Sequence, residues 1–185
     1  YQLGRYEIRG ILGHGGMGTV LQAYDPVLKR LNAIKVIHSK LIADPAMASR
    51  FVRESQAVAA VEHDNIVAVY AVEMHQGTPC IVMPLLRGKT LKQHLAENVG
   101  PLSLTEILRI SRESASGLAA AHAVGLIHCD IKPANLWLET PNDRVKILDF
   151  GLAIGHEDPH TDAQFISGTP GYLSPEQARG LPDRK

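Results

Sequence analysis

The short stretch at residues 128–135 restricts the fold and the chemistry of this chain more than any other segment. Within six residues it brings together the carboxylate of Asp130, the ammonium of Lys132 and the amide of Asn135. Pro133 lacks a backbone N–H and disfavours helical geometry in the residue before it. The stretch is therefore predicted to be an ordered loop between two regular elements, where catalytic groups often lie. By itself, the same composition also fits a polar turn without a chemical role.

A glycine-rich segment near the start of the chain lies between two β-prone runs, residues 6–12 and 19–24. A strand, a glycine turn and a second strand are typical of a hairpin, whose backbone amides can lie close over phosphate oxygens. A dinucleotide-binding fold would need the glycines to open a helix, and the β-prone run after them disfavours that interpretation. A flexible hairpin tip without a ligand stays the alternative. The glycines are Gly13, Gly15, Gly16 and Gly18.

Lys35 lies in an apolar run, residues 31–37, that predicts a third strand. The two-residue period of a strand puts Ala33 and Lys35 on the same face. The following segment, residues 45–62, has helical periodicity and carries Glu54 among its apolar positions. A glutamate on the buried side of a helix requires a cation. Lys35 is the candidate partner.

The remaining elements divide the chain into a strand-rich half and a helix-rich half. Residues 66–74 and 79–83 predict two more strands, and residues 84–88 predict the connector between the halves. Leu104, Ile107 and Leu108 open an apolar face on the second predicted helix, which we expect later helices of the longer protein to cover in part. The predicted elements after the connector are helices at 91–97 and 104–124 and brief strands at 136–138 and 145–148.

Composition excludes several classes of function. Nineteen Lys and Arg balance nineteen Asp and Glu, so no basic field indicates a nucleic acid or an anionic membrane as partner. The apolar runs are too short to span a bilayer, and no signal peptide opens the chain. Cys80 and Cys129 lie far apart without metal-binding spacing, which favours a reducing, cytoplasmic compartment. Because the chain begins at Tyr1 and ends at Lys185, we expect it to be a piece of a longer protein, and a membrane anchor farther along stays an open alternative.

Five separated motifs follow one another along the chain. They are the glycine segment with Val20, residues 33–35, residues 128–135, residues 149–151 and residues 168–176. In this order they resemble the motifs of eukaryotic-type (Hanks-type) serine/threonine protein kinases, and the chain resembles a bacterial member of that family. The resemblance implies an α+β, protein kinase-like bilobal fold. Residues 1–185 would be a partial kinase domain, truncated within the C-terminal lobe. Its β-rich N-lobe would span about 1–86, and its hinge and incomplete helical C-lobe about 87–185.

The same resemblance implies a serine/threonine protein kinase. Such an enzyme transfers the γ-phosphate of ATP to Ser and Thr hydroxyls of proteins, its own included, and residues 1–185 alone are expected to be inactive. The implied cofactors are ATP and Mg²⁺, with Mn²⁺ as a substitute, and the implied partners are protein substrates and a second copy for trans-autophosphorylation. The alternative is a pseudokinase, a nucleotide-binding or scaffolding module without phosphotransfer.

The site residues are carried over from the family motifs. Asp130 would accept the proton of the substrate hydroxyl, and Lys132 would stabilise the γ-phosphoryl oxygens. Lys35, paired with Glu54, would hold the ATP phosphates. The implied metal ligands are Asn135 and Asp149.

The resemblance also implies which residues line the ATP site and where the activation loop lies. A packed core residue is an equally good interpretation of Trp137. The implied ATP-binding residues are Leu12, Gly13, Gly15, Gly16, Gly18, Val20, Ala33, Lys35, Met83, Pro84, Leu86 and Trp137. The activation loop would carry Thr161, Ser167 and Thr169.

Cys129 stands where the family has an arginine before the catalytic aspartate. In the family that arginine pairs with a phosphorylated residue of the activation loop. A thiol with an ordinary pKa of about 8.5 is mostly neutral at pH 7 and cannot make that charge-assisted bond. We therefore expect activation through this link to be absent, while the chemistry of Asp130 is unaffected. A small buried residue and a redox role are the two interpretations of the thiol itself.

Overall fold

The computed structural model describes residues 1–41, 45–150 and 169–179. The chain divides into two compact units, the first comprising Tyr1–Glu62 and Val67–Arg87 and the second comprising His63–Ile66 and Gly88–Lys185. Strands dominate the described part of the first unit, and helices are concentrated in the second. The predicted α+β class is therefore confirmed.

A single antiparallel sheet forms the body of the first unit. Its strands are β1 (Gln2–Leu3), β2 (Tyr6–His14), β3 (Gly18–Asp25), β4 (Arg30–Ile37), β5 (Ala71–His75) and β6 (Thr78–Pro84). They lie in the order β1-β2-β3-β4-β6-β5. Residues 32–35 are all buried, so β4 is covered on both faces, as expected for a central strand. The core on one face consists of Tyr6, Ala23, Ile34, Cys80 and Val82.

Helix α1 (Pro45–Ala59) packs against β5 and β6. It begins at a proline, which suits the first helical position because its missing N–H would have no helical partner there. Phe51, Ser55 and Val58 are buried, and their spacing of four and three residues puts them on one helical face. The helix ends before residue 62, the predicted limit.

The strand predicted at residues 66–74 is shorter than expected, because β5 begins only at Ala71. Ile66 instead forms an isolated parallel bridge with Ile147 in the second unit. The backbone N–H of Ile147 donates to the carbonyl of Asn65 at 2.8 Å. The apolar, β-branched character of Ile66 thus reflects packing against one neighbouring strand rather than membership of the large sheet.

The second unit combines a small sheet with helices. Its strands β7 (Gly88–Thr90), β8 (Leu136–Glu139) and β9 (Arg144–Ile147) lie in the order β7-β8-β9. Its helices are α2 (Leu91–Glu97), α3 (Leu104–Ala123) and the short α4 (Pro175–Ala178). Strand β7 was not predicted. Gly88 in this strand has φ of 126°, and a Cβ there would lie 2.0 Å from the carbonyl oxygen of Leu138, so the pairing requires a glycine.

Side-chain caps set the starts of α2 and α3 where the sequence predicts them. The hydroxyl of Thr90 accepts from the backbone N–H of Gln93, whose side chain accepts from the backbone N–H of Thr90. This reciprocal pair is a capping box. The hydroxyl of Ser103 accepts from the backbone N–H of Glu106 in the same way.

The predicted apolar face of helix α3 is exposed, and the helix buries its opposite side. Leu104 and Leu108 are 70% and 60% exposed, whereas Ile110, Gly117 and Ala121 are buried, and the helix packs on β9. A Cβ on Gly117 would lie 2.8 Å from the side chain of Ile147. Close approach to the sheet therefore selects small residues, and the large apolar residues that guided the prediction lie on the exposed side.

Helix α3 is also the longest helix of the described residues, at 20 residues. It carries charged side chains along its length, Glu106, Arg109 and Glu113 among them. In the part of the chain that the structure describes, no helix combines the length and the apolar character needed to cross a membrane.

Candidate active site

The glycine segment forms the tip of the hairpin between β2 and β3. Backbone hydrogen bonds run both ways between Gly15 and Gly18, at 2.8 Å and 3.4 Å. A Cβ on Gly18 would lie 2.2 Å from the carbonyl oxygen of Val36, whereas a Cβ on Gly13 or Gly16 would meet nothing within 4 Å. No glycine of this tip has a positive φ. Packing therefore explains Gly18, while the open space at the other two leaves backbone that a phosphate can approach closely.

His38, just after β4, ties the hairpin tip to the sheet. Its backbone N–H donates to the carbonyl of Met17 at 3.0 Å. Its Nε2 lies 3.2 Å from the carbonyl oxygen of Gly15 and donates a hydrogen bond to it when Nε2 carries the proton. Both contacts involve exposed groups, so they position the tip without fixing it strongly.

Lys35 lies directly opposite Val20 in the pairing of β3 and β4. Ala33 and Lys35 occupy the same face of β4 and are 7% and 5% exposed. A buried ammonium requires an anionic or hydrogen-bonding neighbour. The backbone of Glu54 belongs to α1, but its side chain lies outside the described part of the structure, so the ion pair with Lys35 stays a prediction.

Asp130, Lys132 and Thr169 form a closed hydrogen-bonded triangle. The ammonium of Lys132 donates to Oδ2 of Asp130 at 2.6 Å and to Oγ1 of Thr169 at 2.5 Å. Oγ1 of Thr169 donates in turn to Oδ1 of Asp130 at 2.8 Å. The side-chain amide of Asn135 adds bonds to the carbonyl of Asp130, at 2.8 Å, and to its Oδ2, at 3.2 Å. The loop thus brings together the three residue types predicted for it and joins them to a residue 37 positions farther along the chain.

These contacts determine the charge of Asp130. Burial alone would raise the pKa of its carboxyl group, but the hydrogen bonds from Lys132 and Thr169 and the positive charge of Lys132 outweigh burial. The pKa of Asp130 is therefore below its ordinary range, and the side chain is a carboxylate at neutral pH. A carboxylate accepts hydrogen bonds without donating any, so it can orient a hydroxyl group presented to it.

His128 joins the loop to the segment that contains Asp149. Its Nδ1 accepts from the backbone N–H of Asp130 at 3.2 Å, and its Nε2 donates to the carbonyl of Leu148 at 2.8 Å. The edge of its ring contacts Phe150, with 4.7 Å between ring centroids. Burial lowers the pKa of His128, which keeps the imidazole neutral and preserves the tautomer that both bonds require.

The β8–β9 hairpin brings Asn135 and Asp149 to the same end of the small sheet. Asn135 precedes β8, Leu148 follows β9, and the backbone N–H of Leu148 donates to the carbonyl of Asn135 at 2.9 Å. Asp149 comes next, with φ of 60°, a conformation that aspartate tolerates better than most residues. Residues 133–135 form a single 3₁₀ turn where a plain loop was predicted, because Pro133 occupies its first position, where no N–H is needed.

The donor set at this end of the sheet fits a divalent cation that also binds phosphates. Nδ2 of Asn135 faces Asp130, which leaves Oδ1 as the atom that the amide can offer to a metal. Among the described residues, no cluster of three or more His, Cys, Asp or Glu side chains could hold a metal ion alone. Magnesium commonly takes only one or two carboxylates, with phosphate oxygens and water completing its shell.

Comparison with known proteins decides the family. The sequence model of the family described as the protein kinase domain matches residues 6–182, which is nearly the whole chain. The chain belongs to the protein kinase domain family. Members of this family use ATP and a divalent metal ion, which agrees with the open glycine segment and with the oxygen donors of Asn135 and Asp149.

The relatives are bacterial serine/threonine-protein kinases, so the predicted branch of the family is confirmed. The chain is 41% identical to PksC of Streptomyces coelicolor over 187 residues, which covers 96% of this chain and 34% of that protein. It is 38% identical to PrkC of Bacillus subtilis, covering 96% of this chain and 27% of that one. The chain thus spans about a third or less of the length of these curated relatives.

A solved kinase domain confirms the kinase-like fold. The crystal structure of the PknI kinase domain of Mycobacterium tuberculosis matches with a TM-score of 0.80 at 29% identity. The match covers 99% of this chain and 68% of that kinase domain.

The other predicted nucleotide-binding residues lie at strands and their ends. Leu12 and Val20 belong to the two strands of the glycine hairpin and are exposed and half-buried, respectively. Met83 and Pro84 end β6, opposite Ala33 and Asn32, and Leu86 follows in the connector, half-buried. Their contacts with a nucleotide stay predictions.

Trp137 lies half-buried in β8, between Thr90 of β7 and Lys146 of β9. Its indole nitrogen lies 3.1 Å from the position that a Cβ on Gly88 would occupy. The tryptophan therefore packs over the backbone of β7. Its place in the ATP site stays a prediction.

Cys129 has φ of 61°, in the left-handed region that costs a residue with a Cβ about 1–2 kcal/mol. Its side chain is half-buried, and Sγ lies 3.8 Å from the carbonyl oxygen of Ile127. Two hydrogen bonds hold the peptide group that follows Cys129. The N–H of Asp130 donates to Nδ1 of His128, and the carbonyl of Cys129 accepts from Nε2 of Gln177 at 2.7 Å.

Gln177 is a residue of the site that was not predicted from the sequence. The available signal was its position three residues after Ser174, the spacing of a capping box. That spacing predicts a helix start but not the long-range contact. Of the activation-loop residues, Thr169 lies in the triangle described above, whereas Thr161 and Ser167 lie outside the described residues.

Proposed function

We propose that the protein carrying this domain is a serine/threonine protein kinase, which transfers the γ-phosphate of ATP to Ser and Thr hydroxyls of proteins, its own included. The observation that carries this proposal is the triangle of Asp130, Lys132 and Thr169, with Asn135 bonded to Asp130. It combines a carboxylate, an ammonium and an amide in a preorganised arrangement, and phosphoryl transfer depends mainly on positioning and charge neutralisation.

Asp130 orients the substrate hydroxyl and receives its proton. Its lowered pKa makes it a weak base, so it acts first as a hydrogen-bond acceptor. It takes the proton as the hydroxyl oxygen bonds to the γ-phosphorus and the bond from that phosphorus to the β,γ-bridging oxygen breaks, which releases ADP. The ammonium of Lys132 stabilises the phosphoryl oxygens. Because Lys132 also bonds Asp130 at 2.6 Å, the cation and the acceptor are held near each other.

Lys35 and the backbone amides of the glycine segment would hold the ATP phosphates. Oδ1 of Asn135 and the carboxylate of Asp149 would hold Mg²⁺, with Mn²⁺ as a substitute of similar ligand preference. The metal, when bound, neutralises phosphate charge. The nearly complete burial of Lys35 supports its role, because a buried ammonium interacts strongly with anionic oxygens.

The remaining proposals concern the context of the domain. Residues 1–185 form one partial kinase domain that works in the cytoplasm on protein substrates, and two copies associate for trans-autophosphorylation. The balanced charge of the chain supports proteins rather than nucleic acids as partners. The pseudokinase alternative gains no support from the described residues, which include Lys35, Asp130, Asn135 and Asp149.

Radiolabel transfer from Mg-ATP by the full-length protein tests the proposal. The wild type should label itself on Ser or Thr, and Asp130→Asn should lower the rate about 10²–10⁴-fold, the usual contribution of a positioned acid–base group. Lys35→Met and Asp149→Asn should abolish most activity. Asp64→Asn is the matched control, because it makes the same chemical change in an exposed carboxylate paired with Arg144. If Asp149→Asn incorporated as much label as the wild type, the mechanism would be refuted. If the wild type bound ATP but transferred no phosphate, the pseudokinase alternative would be favoured.

A further inference from the structure

We propose that Gln177 is a positioning residue of the kinase reaction, which sets the orientation of Asp130 through the backbone of Cys129. The inference rests on the proposed kinase function. Gln177 lies in α4, and Cys129 lies 48 positions earlier, immediately before Asp130. Gln177 thus connects the helix that follows Thr169 with the loop that carries the proton acceptor.

The side-chain amide of Gln177 uses both of its ends. Its Oε1 accepts from the backbone N–H of Ser174 at 3.1 Å, while its own backbone N–H lies 3.4 Å from the hydroxyl of Ser174. This is the capping box at the start of α4. The Nε2 group is then directed to the carbonyl of Cys129, at 2.7 Å.

The capping box alone does not explain a glutamine at this position. Glutamate and glutamine serve equally as the third residue of a capping box, because both offer an oxygen acceptor. Only glutamine also carries an N–H donor, since an ionised carboxylate is an acceptor alone. The contact with the Cys129 carbonyl therefore distinguishes Gln177 from the residue that would serve the helix just as well.

The peptide group between Cys129 and Asp130 is held at both of its polar atoms. Its oxygen accepts from Gln177, and its N–H donates to Nδ1 of His128 at 3.2 Å. Because a peptide group is planar, two bonds at opposite edges fix its orientation and with it the Cα of Asp130. The restraint matters here because Cys129 has φ of 61°, a conformation that persists only where neighbouring contacts determine it.

The decisive test compares Gln177→Glu with Ser174→Ala in the full-length protein. Gln177→Glu keeps the cap acceptor and removes the donor, so kcat should fall about 10- to 100-fold, as expected when a reacting group is misplaced, with KM for ATP unchanged. Ser174→Ala removes the cap hydroxyl and keeps the donor, so its kcat should stay within about twofold of the wild type, since a lost cap affects mainly helix stability. Equal kcat for Gln177→Glu and the wild type would overturn the inference.

Two further measurements separate positioning from general damage to the fold. A protonated carboxyl group donates a hydrogen bond, so the ratio of wild-type to Gln177→Glu activity should shrink as pH falls toward the ordinary glutamate pKa of about 4.3. Gln177→Met removes the donor without adding charge and should reproduce the loss of kcat. Unchanged kcat in Gln177→Met would contradict the inference even if Gln177→Glu failed to fold. A wild type that transfers no phosphate would instead refute the proposed function.

Discussion

The glycine segment and the catalytic loop at residues 128–135 are built in opposite ways. At the glycine tip, two of the glycines face open space, and the bonds that His38 makes to the tip involve exposed groups. In the catalytic loop, Asp130 alone accepts three side-chain hydrogen bonds at its carboxylate. The first region leaves room for a ligand, and the second is organised before any ligand arrives.

This difference follows from what each region is proposed to contact. Phosphates can be bound by backbone amides that approach closely, and bulk is then the main obstacle. A proton acceptor must be held within a fraction of an ångström of its productive position, which requires supporting hydrogen bonds. Substitutions should therefore act mainly through added volume in one region and through lost hydrogen bonds in the other.

Among the groups that support Asp130 without reacting, the hydroxyl of Thr169 should have the largest effect. Thr169→Ala deletes both the donor to Asp130 and the acceptor for Lys132, so kcat should fall about 10- to 100-fold. Thr169→Ser is the matched control, because it keeps the hydroxyl and loses only a methyl group. Steady-state kinetics of the full-length protein measures both variants. If Thr169→Ala were as active as the serine variant, the triangle would not be needed for preorganisation.

Substitution by alanine should lower the stability of the protein at Gly18, which is packed, but not at Gly16, which faces open space. A Cβ on Gly18 would collide with the carbonyl of Val36 at 2.2 Å, and overpacking of this kind costs about 1–3 kcal/mol. Gly16→Ala meets nothing in the protein, so it should leave stability unchanged while raising KM for ATP. Thermal unfolding and KM measurements test both variants. Equal destabilisation by the two changes would show that the glycines in open space and the packed Gly18 do not differ in their tolerance of a side chain.

Much of this organisation could be predicted from local sequence, and the rest depends on distant contacts. The starts of α2 and α3 follow from Thr90 and Ser103, whose caps lie within four residues of their partners. The contact between Lys132 and Thr169 spans 37 positions, so no local sequence pattern could predict it. The buried face of α3 could not be predicted from apolar periodicity, because it depends on the close approach that Gly117 allows.

A smaller effect is expected on the pH dependence of stability. Burial lowers the pKa of His128 in the folded state, so below its unfolded value of about 6.5 the unfolded chain binds more protons. The contribution of the neutral His128 side chain to the stability of the folded state is therefore complete above about pH 6.5. It is lost as the pH falls toward the pKa of His128 in the folded state. Asp130, whose folded pKa is also lowered, loses its contribution only below its ordinary value of about 3.9.

His128→Gln separates these two windows. Glutamine can donate to the carbonyl of Leu148 but does not titrate, so the first loss of stability, below about pH 6.5, should disappear while the second remains. Thermal unfolding between neutral and acidic pH provides the measurement. An identical first loss in the variant and the wild type would assign it to another group.

The smallest effect should be that of phosphate on Thr161 or Ser167. Cys129 offers no positive charge beside Asp130, so phosphatase treatment of the natural enzyme should change activity little. In Cys129→Arg, a phosphate could add one to three charge-assisted hydrogen bonds, and the treatment should then matter more. A large loss of activity on dephosphorylating the natural enzyme would contradict this expectation and point to another basic residue, such as Arg53 or Lys146, as the partner of the phosphate.

The β8–β9 hairpin has a consequence for protein engineering. Its four residue pairs, from Leu136↔Ile147 to Glu139↔Arg144, separate the end that carries Asn135 and Asp149 from the turn at residues 140–143. The turn residues are exposed, and exposed turns tolerate inserted sequence better than paired strands do. A fluorescent or affinity tag placed after Asn142 would therefore lie at the far end of the hairpin, where it could report on the domain without entering its chemistry.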